Sequence, residues 1–336
     1  MKKVFPFIGV LMLCVLANTA LGQKAETNSE IAKPKGYEPP VIRTSDKMNE
    51  LLTKAIDETI AEFKTQNFAP KDVSATIILM DGRGTGWTSG EFRGSERIYP
   101  ASVVKLFYMA ALERQIEDGK VTLTPELERG LRDMIVDSSN EATQYILDVL
   151  TGTSSGPELP KKEFEAWQFK RNRVNRFFSS LGYADINVNQ KTFCEDAYGV
   201  EQQSRNYRGE NRNMLTTDAV ARLLAEIADG RIANKERTAE MMTLLRRDPF
   251  AAGPEDDQAH AFIGRMLIDK KLNAAKIWSK AGWTSKTRHD AAYIETPEGL
   301  RFVLVIFTVD HAAETKFIPA AAGRVFEALK AYNAAH

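Results

Sequence analysis

Tyr99-Pro100-Ala101-Ser102-Val103-Val104-Lys105-Leu106-Phe107-Tyr108-Met109-Ala110 is the stretch around which the rest of the chain can be ordered. Pro100 biases Tyr99 toward extended geometry, and the apolar run after it keeps helical spacing, so a helix is expected over Val103 to Ile116. Ser102 then stands near the helix N-terminus, where unpaired N–H groups and the helix dipole favour negative charge. Lys105 follows three residues later on the same face. A serine hydroxyl is a weak nucleophile that needs a base, and a lysine desolvated near a second cation gives up its proton at neutral pH. Ser102 is therefore the candidate nucleophile and Lys105 its candidate base. Ser-x-x-Lys alone is equally a capping serine followed by a surface lysine, so other elements must decide.

Two further elements follow in order. Ser138-Ser139-Asn140 precedes a helical run that begins at Glu141, offering a hydroxyl and an amide; a helix cap is the plain structural alternative. Lys280-Ala281-Gly282 lies in a strand pattern, where lysine adds a second positive charge and glycine lets another group approach the backbone. Ser-x-x-Lys, Ser-Asp-Asn and Lys-Thr-Gly, in this order, form one catalytic set, and three ordered near-matches are specific. On these motifs, from Asp46 to Tyr332, the sequence resembles the penicillin-recognising serine hydrolases, most closely class A β-lactamases. Met134 to Leu150 is similar to the family's helix carrying the second motif. Leu215-Thr216-Thr217 is similar to the segment after its Ω-loop.

The resemblance implies an α/β sandwich joined to a helical lobe, with the site between them. It implies that Ser102 is acylated, that Lys105 is a base, and that Ser138 relays a proton to the leaving group. Asn140 would bind the substrate amide, Lys280 would hold the electrostatics, and the N–H groups of Ser102 and Trp283 would form the oxyanion hole beside Gly282. Three departures bear on this. Ser139 replaces the aspartate of class A enzymes. Ala281 replaces Thr or Ser, removing a hydroxyl that helps bind a substrate carboxylate; Thr284 or Arg288 is expected to compensate. Strand alternation would put the side chains of Lys280 and Ala281 on opposite faces, yet a hydroxyl at 281 is expected to reach the cleft from the sheet's edge. The region Asn187 to Asn213 lacks the Glu-x-x-Leu-Asn pattern that positions a deacylating water, which leaves Glu201, Glu195 or neither as the second-step base. Without one, an acyl-enzyme is long-lived.

Composition narrows the classes. Among 336 residues, 45 basic side chains balance 45 acidic ones, which leaves no field to attract nucleic acid. Lys2 and Lys3, the apolar Val4 to Leu16 and the small Ala20 and Gly22 read as a secretory signal over 1–22, with a periplasmic or secreted product and no integral membrane segment after cleavage. Cys194 would then be the only cysteine left, excluding an internal disulfide or a Cys-rich metal site. The expected substrate is a small molecule or a peptidoglycan fragment, without metal or organic cofactor. His289-Asp290 suggests a Ser-His-Asp triad only weakly, since neighbours on a strand point apart and no Gly-x-Ser-x-Gly elbow is present.

Residues 23–44 mix Lys, Glu, Ser and Pro without apolar periodicity and read as a flexible leader. A helix over Asp46 to Phe63, a hairpin from Ser74 to Trp87 turning at Asp81-Gly82-Arg83-Gly84, strands at Lys276–Trp283, Ala291–Glu295 and Phe302–Val309, and a helix over Ala320–Tyr332 bracket a helical middle. The expected fold class is α+β: a five-stranded antiparallel sheet from both chain ends (45–100 and 271–336), flanked by N- and C-terminal helices, with a helical lobe (101–270) inserted. The predicted function is an exported serine hydrolase acting on β-lactams or related amides and esters. A peptidoglycan D-Ala carboxypeptidase or esterase, and a catalytically silent binding protein, are the alternatives.

Overall fold

Ser45 ends an extended segment and starts the first helix: its hydroxyl accepts from Met48 N (3.4 Å), and Asp46 adds a negative charge to the first turn. The helix it caps, α1 (Asp46–Glu62), buries Met48, Leu52, Ala55 and Ile56 on one stripe. The computed structural model describes residues 30–80, 86–193 and 196–334. The expected signal sequence, the turn at Asp81–Gly84, Cys194 and Glu195 lie outside the described residues.

Seven strands form one sheet in the order β1-β3-β2-β7-β6-β5-β4. They are β1 (Ile42–Thr44), β2 (Val73–Leu79), β3 (Trp87–Phe92), β4 (Arg246–Arg247), β5 (Lys276–Trp283), β6 (Thr287–Glu295) and β7 (Arg301–Val309). Five of them are those expected; β2 pairs antiparallel with β3 and β7, and β5, β6 and β7 pair antiparallel in succession. Two short edge strands correct the expected count. β1 pairs in parallel with β3, and β4 pairs with β5 at Arg246↔Trp278 and Arg247↔Ile277, so the sheet is mixed. Strands of three and two residues are too short to show a period of two, which is why the pattern missed them.

β1 also corrects the leader. Ile31 is buried in the core, Ala32 O accepts from Arg114 Nε, and the Tyr37 hydroxyl donates to Glu226 Oε1 (2.6 Å), so the largely exposed segment 31–44 is tied to the domain at these points and through β1. Three anchors at 31, 32 and 37 do not register as apolar periodicity.

Between the strands run α2 (Lys105–Glu117), α3 (Pro125–Ile135), α4 (Asn140–Thr151), α5 (Lys161–Arg171), α6 (Arg173–Ser180), α7 (Gly199–Arg205), α8 (Thr217–Ala228), α9 (Lys235–Leu245) and α10 (Ile263–Asp269), with α11 (Phe317–Ala334) at the end. Alternation along the strands divides the core in two. Ala75, Ile77, Ala292, Ile294, Leu304 and Ile306 face α1, α10 and α11, while Ile78, Ala291, Tyr293, Val303, Val305 and Phe307 face the cluster built on α2, α4 and α8. α10 and β4 fall within 101–270 but belong to the sheet and its covering helices, so that range is not purely a helical insert.

Candidate active site

The Ser102 element forms because Pro100 leads into a short 3-10 turn, Ala101–Val104, that runs on into α2. Val103 N donates to Pro100 O (3.1 Å) to close the turn. Ala101 holds φ +47°, a left-handed value costly for a residue with a Cβ, and the strain sits one residue before Ser102. His289 steadies the same turn from β6. Its Nδ1 accepts from Thr308 N (3.2 Å), so the proton is on Nε2, which donates to Tyr99 O (2.9 Å). Full burial pushes this imidazole down to about 4, keeping it neutral. Asp290 points to the opposite face, accepting from Ile263 N and Ala291 N, and burial raises its carboxyl to about 6. No triad is built from this pair.

Gly282 brings β5 against the turn that carries Ser102. A Cβ at this position would lie 2.7 Å from Ser102 N, 2.9 Å from Pro100 O and 2.9 Å from Val103 N, so only glycine permits the approach.

The second motif lies between two lysines. Lys105 Nζ donates to Ser138 O (2.6 Å), Ser138 Oγ (3.2 Å) and Asn140 Oδ1 (3.0 Å). Lys280 Nζ donates to Ser138 Oγ (2.9 Å), Gln258 Oε1 (2.7 Å) and Ala281 O (2.7 Å). Both lysine side chains are fully buried. Desolvation first, then the positive charges of Lys105 and Arg247, hold Lys280 well below the ordinary lysine range. Arg247, which sequence reasoning did not single out, donates to Leu244 O and Ile135 O and is pushed down to about 10 by its own burial. Ser138 holds φ +56°, a second strained residue in the cluster. Ser139 is the helix cap: its Oγ accepts from Ala142 N (3.1 Å), starting α4 and presenting Ser138 and Asn140 to Lys105.

The remaining candidates and Ala281 are held as follows. Glu201 is buried in an ion cluster: its carboxylate accepts from Arg171 Nη1 (2.8 Å), Arg171 Nη2 (2.7 Å) and Ser155 Oγ (2.9 Å), with Lys191 Nζ at 3.5 Å. Both carboxylate oxygens are thus tied to Arg171. Thr284 belongs to the β5–β6 hairpin, its Oγ1 accepting from Lys286 N and Thr287 N. Arg288 donates to Ala261 O (3.1 Å) and stacks on Phe262 at 3.9 Å. Ala281 is fully buried against α10 and α11, so its side chain does not reach the cleft: the pleat decides against edge access. Trp283 is half exposed and lies 5.7 Å from the Phe262 ring.

A cavity of about 890 Å³ opens between α1, α10 and α11, but none of its lining residues belongs to the three motifs. Chemistry, not volume, marks the site.

A model of the β-lactamase enzyme family matches residues 125–329, more than half of the chain. The match takes in Ser138, Asn140 and Lys280 and begins after Ser102 and Lys105. No curated protein matches the sequence. Among solved structures, a β-lactamase from Sphaerobacter thermophilus is 20% identical, with 84% of this chain and 98% of that one covered at a TM-score of 0.58. A class A β-lactamase from Bacteroides cellulosilyticus is 14% identical, covering 85% and 100% at 0.59. PBP-A is 16% identical, covering 88% and 99% at 0.57. At these identities the likeness speaks for the fold.

Proposed function

Because the chain belongs to the β-lactamase enzyme family, within the penicillin-recognising serine hydrolases, we propose that it is an exported, periplasmic or secreted, serine hydrolase that forms an acyl-enzyme on Ser102. The observation that carries this is Ser138 Oγ, which receives hydrogen bonds from both Lys105 Nζ and Lys280 Nζ. Ser102 Oγ attacks the carbonyl carbon of an amide or cyclic amide as its proton passes to Lys105 acting as the neutral amine, in which Nζ keeps two of its three hydrogen bonds as donor and has a lone pair free for the proton. The N–H groups of Ser102 and Trp283 meet the oxyanion. Collapse breaks the C–N bond, and the leaving nitrogen takes a proton from Ser138, which regains one from the lysines. The product is an ester on Ser102.

The buried pairing of Glu201 with Arg171 favours slow release of that ester, so the protein behaves as a penicillin-binding protein more than as a fast β-lactamase. PBP-A, in a variant, has been solved as an acyl-enzyme with penicillin G, which supports this reading. A fluorescent penicillin followed by mass spectrometry tests it. A persistent adduct on Ser102, absent in Ser102→Ala, is expected. Rapid disappearance of the substrate makes it a true β-lactamase, and no adduct with any acyl donor leaves a binding protein.

A further inference from the structure

Gln258 lies on the loop between β4 and α10, directly after Glu255-Asp256-Asp257, and is only 8% exposed. Its carboxamide bridges the segment before Ser138 and β5. Nε2 donates to Val136 O (3.0 Å), two residues before Ser138, while Oε1 accepts from Lys280 Nζ (2.7 Å) and from Ala281 N (3.2 Å). β4 pairs with β5 only at Ile277 and Trp278, and further along β5 the Ala281 N–H goes to this side chain. An oxygen between a buried ammonium and a backbone N–H occupies the position a ligand carboxylate would otherwise prefer, because hydrogen bonds between charged partners are about twice as strong as neutral ones. The position is taken by a neutral group of the protein itself.

The loop is clasped in this arrangement. Asp257 Oδ1 accepts from Ala259 N (2.7 Å) and His260 N (2.9 Å), and lies 2.8 Å from His260 Nδ1. His260 Nε2 is 2.9 Å from Ala251 O, closing the loop on itself.

We propose that Gln258 is a specificity-determining residue: its carboxamide fills the anion position beside Lys280, so the site favours acyl donors uncharged there over donors that carry a carboxylate. The acylation part rests on the function proposed above; the binding part does not. The test therefore reads binding alone, in a Ser102→Ala background where no adduct forms. Calorimetry compares a penicillin with its methyl ester. Adding Gln258→Ala should tighten the carboxylate form about ten-fold or more, the worth of one charged hydrogen bond, and the ester by less than about two-fold. His260→Ala, which loosens the loop and leaves Lys280 and Ala281 intact, should shift the same ratio in the same direction; thermal unfolding checks that each variant is folded. Equal changes for the two forms, no change, or no binding of either form to any variant would overturn the assignment. An altered ratio without any Ser102 adduct in the wild type would instead sink the catalytic reading and leave Gln258 as the selector of ligand charge.

Discussion

Gly282→Ala isolates the contact on which the site depends. The added Cβ would stand 2.7 Å from Ser102 N, whereas ordinary contact begins at 3.4 Å, so the β5 backbone and the nucleophile turn must part by about 0.7 Å. The three atoms it meets, Ser102 N, Pro100 O and Val103 N, are all backbone, and none can swing aside. Crowding of this kind costs about 1–3 kcal/mol in stability. A catalytic group moved by about 1 Å costs on the order of 10²-fold in rate. Gly282→Ala should therefore lower the acylation rate by about 10²-fold and the unfolding free energy by about 1–3 kcal/mol. The rate is read from the mass of the intact protein against time, the stability from urea unfolding. Gly323→Ala in α11 is the control: the nearest atoms to its Cβ are Lys270 Cε at 3.4 Å and Met266 Cγ at 3.9 Å. It should gain about 0.5–1 kcal/mol as alanine in a helix and leave acylation unchanged. A Gly282→Ala protein that acylates within about two-fold of the wild type would refute the argument that this close approach positions Ser102.

Ala281→Thr places a hydroxyl in the apolar layer under α10 and α11, so it should cost about 1–3 kcal/mol and bring no gain with carboxylate-bearing penicillins; a gain in their kcat/KM would mean that the residue faces the cleft. Glu201→Gln leaves Arg171 and Lys191 with less buried negative charge and should destabilise by about 3–5 kcal/mol while deacylation stays slow. A folded Glu201→Gln protein with deacylation slowed about 10²-fold or more would make Glu201 the base after all. His289 and Asp290 give opposed pH effects. The imidazole, lowered from 6.5 to about 4, contributes stability that is lost as pH falls from 6.5 through 4, about 3 kcal/mol in all; the carboxyl, raised from 3.8 to about 6, contributes a similar amount that is lost as pH rises from 3.8 through 6. The pair nearly cancels in the wild type, whereas His289→Gln should gain up to about 3 kcal/mol in acid. Guanidinium unfolding at pH 6.5 and pH 4 checks this, and an identical pH dependence in both proteins would refute it.

Local signals made much of the molecule legible. Ser102 and Lys105, Ser138 and Asn140, and Lys280 and Gly282 each stand together within a few residues, and their settings (a turn before a helix, a helix cap, a strand) follow from propensity and periodicity that reach no further than about four residues. The longer strands and the helices around them were readable for the same reason. Tertiary structure alone decided what those periods cannot span. It joined Lys280 to Ser138 across 142 positions and to Gln258 across 22. It drew the segment before Ser45 into the sheet by three backbone pairings and a tyrosine, none of which leaves a pattern in composition. It also put Glu201 with Arg171 and Arg288 on Phe262, because a buried charge settles beside whatever partner packing brings to it. The sequence determined which chemical groups were available and in what local geometry; the fold determined which of them met, because meeting depends on contacts made only when distant segments close on one core.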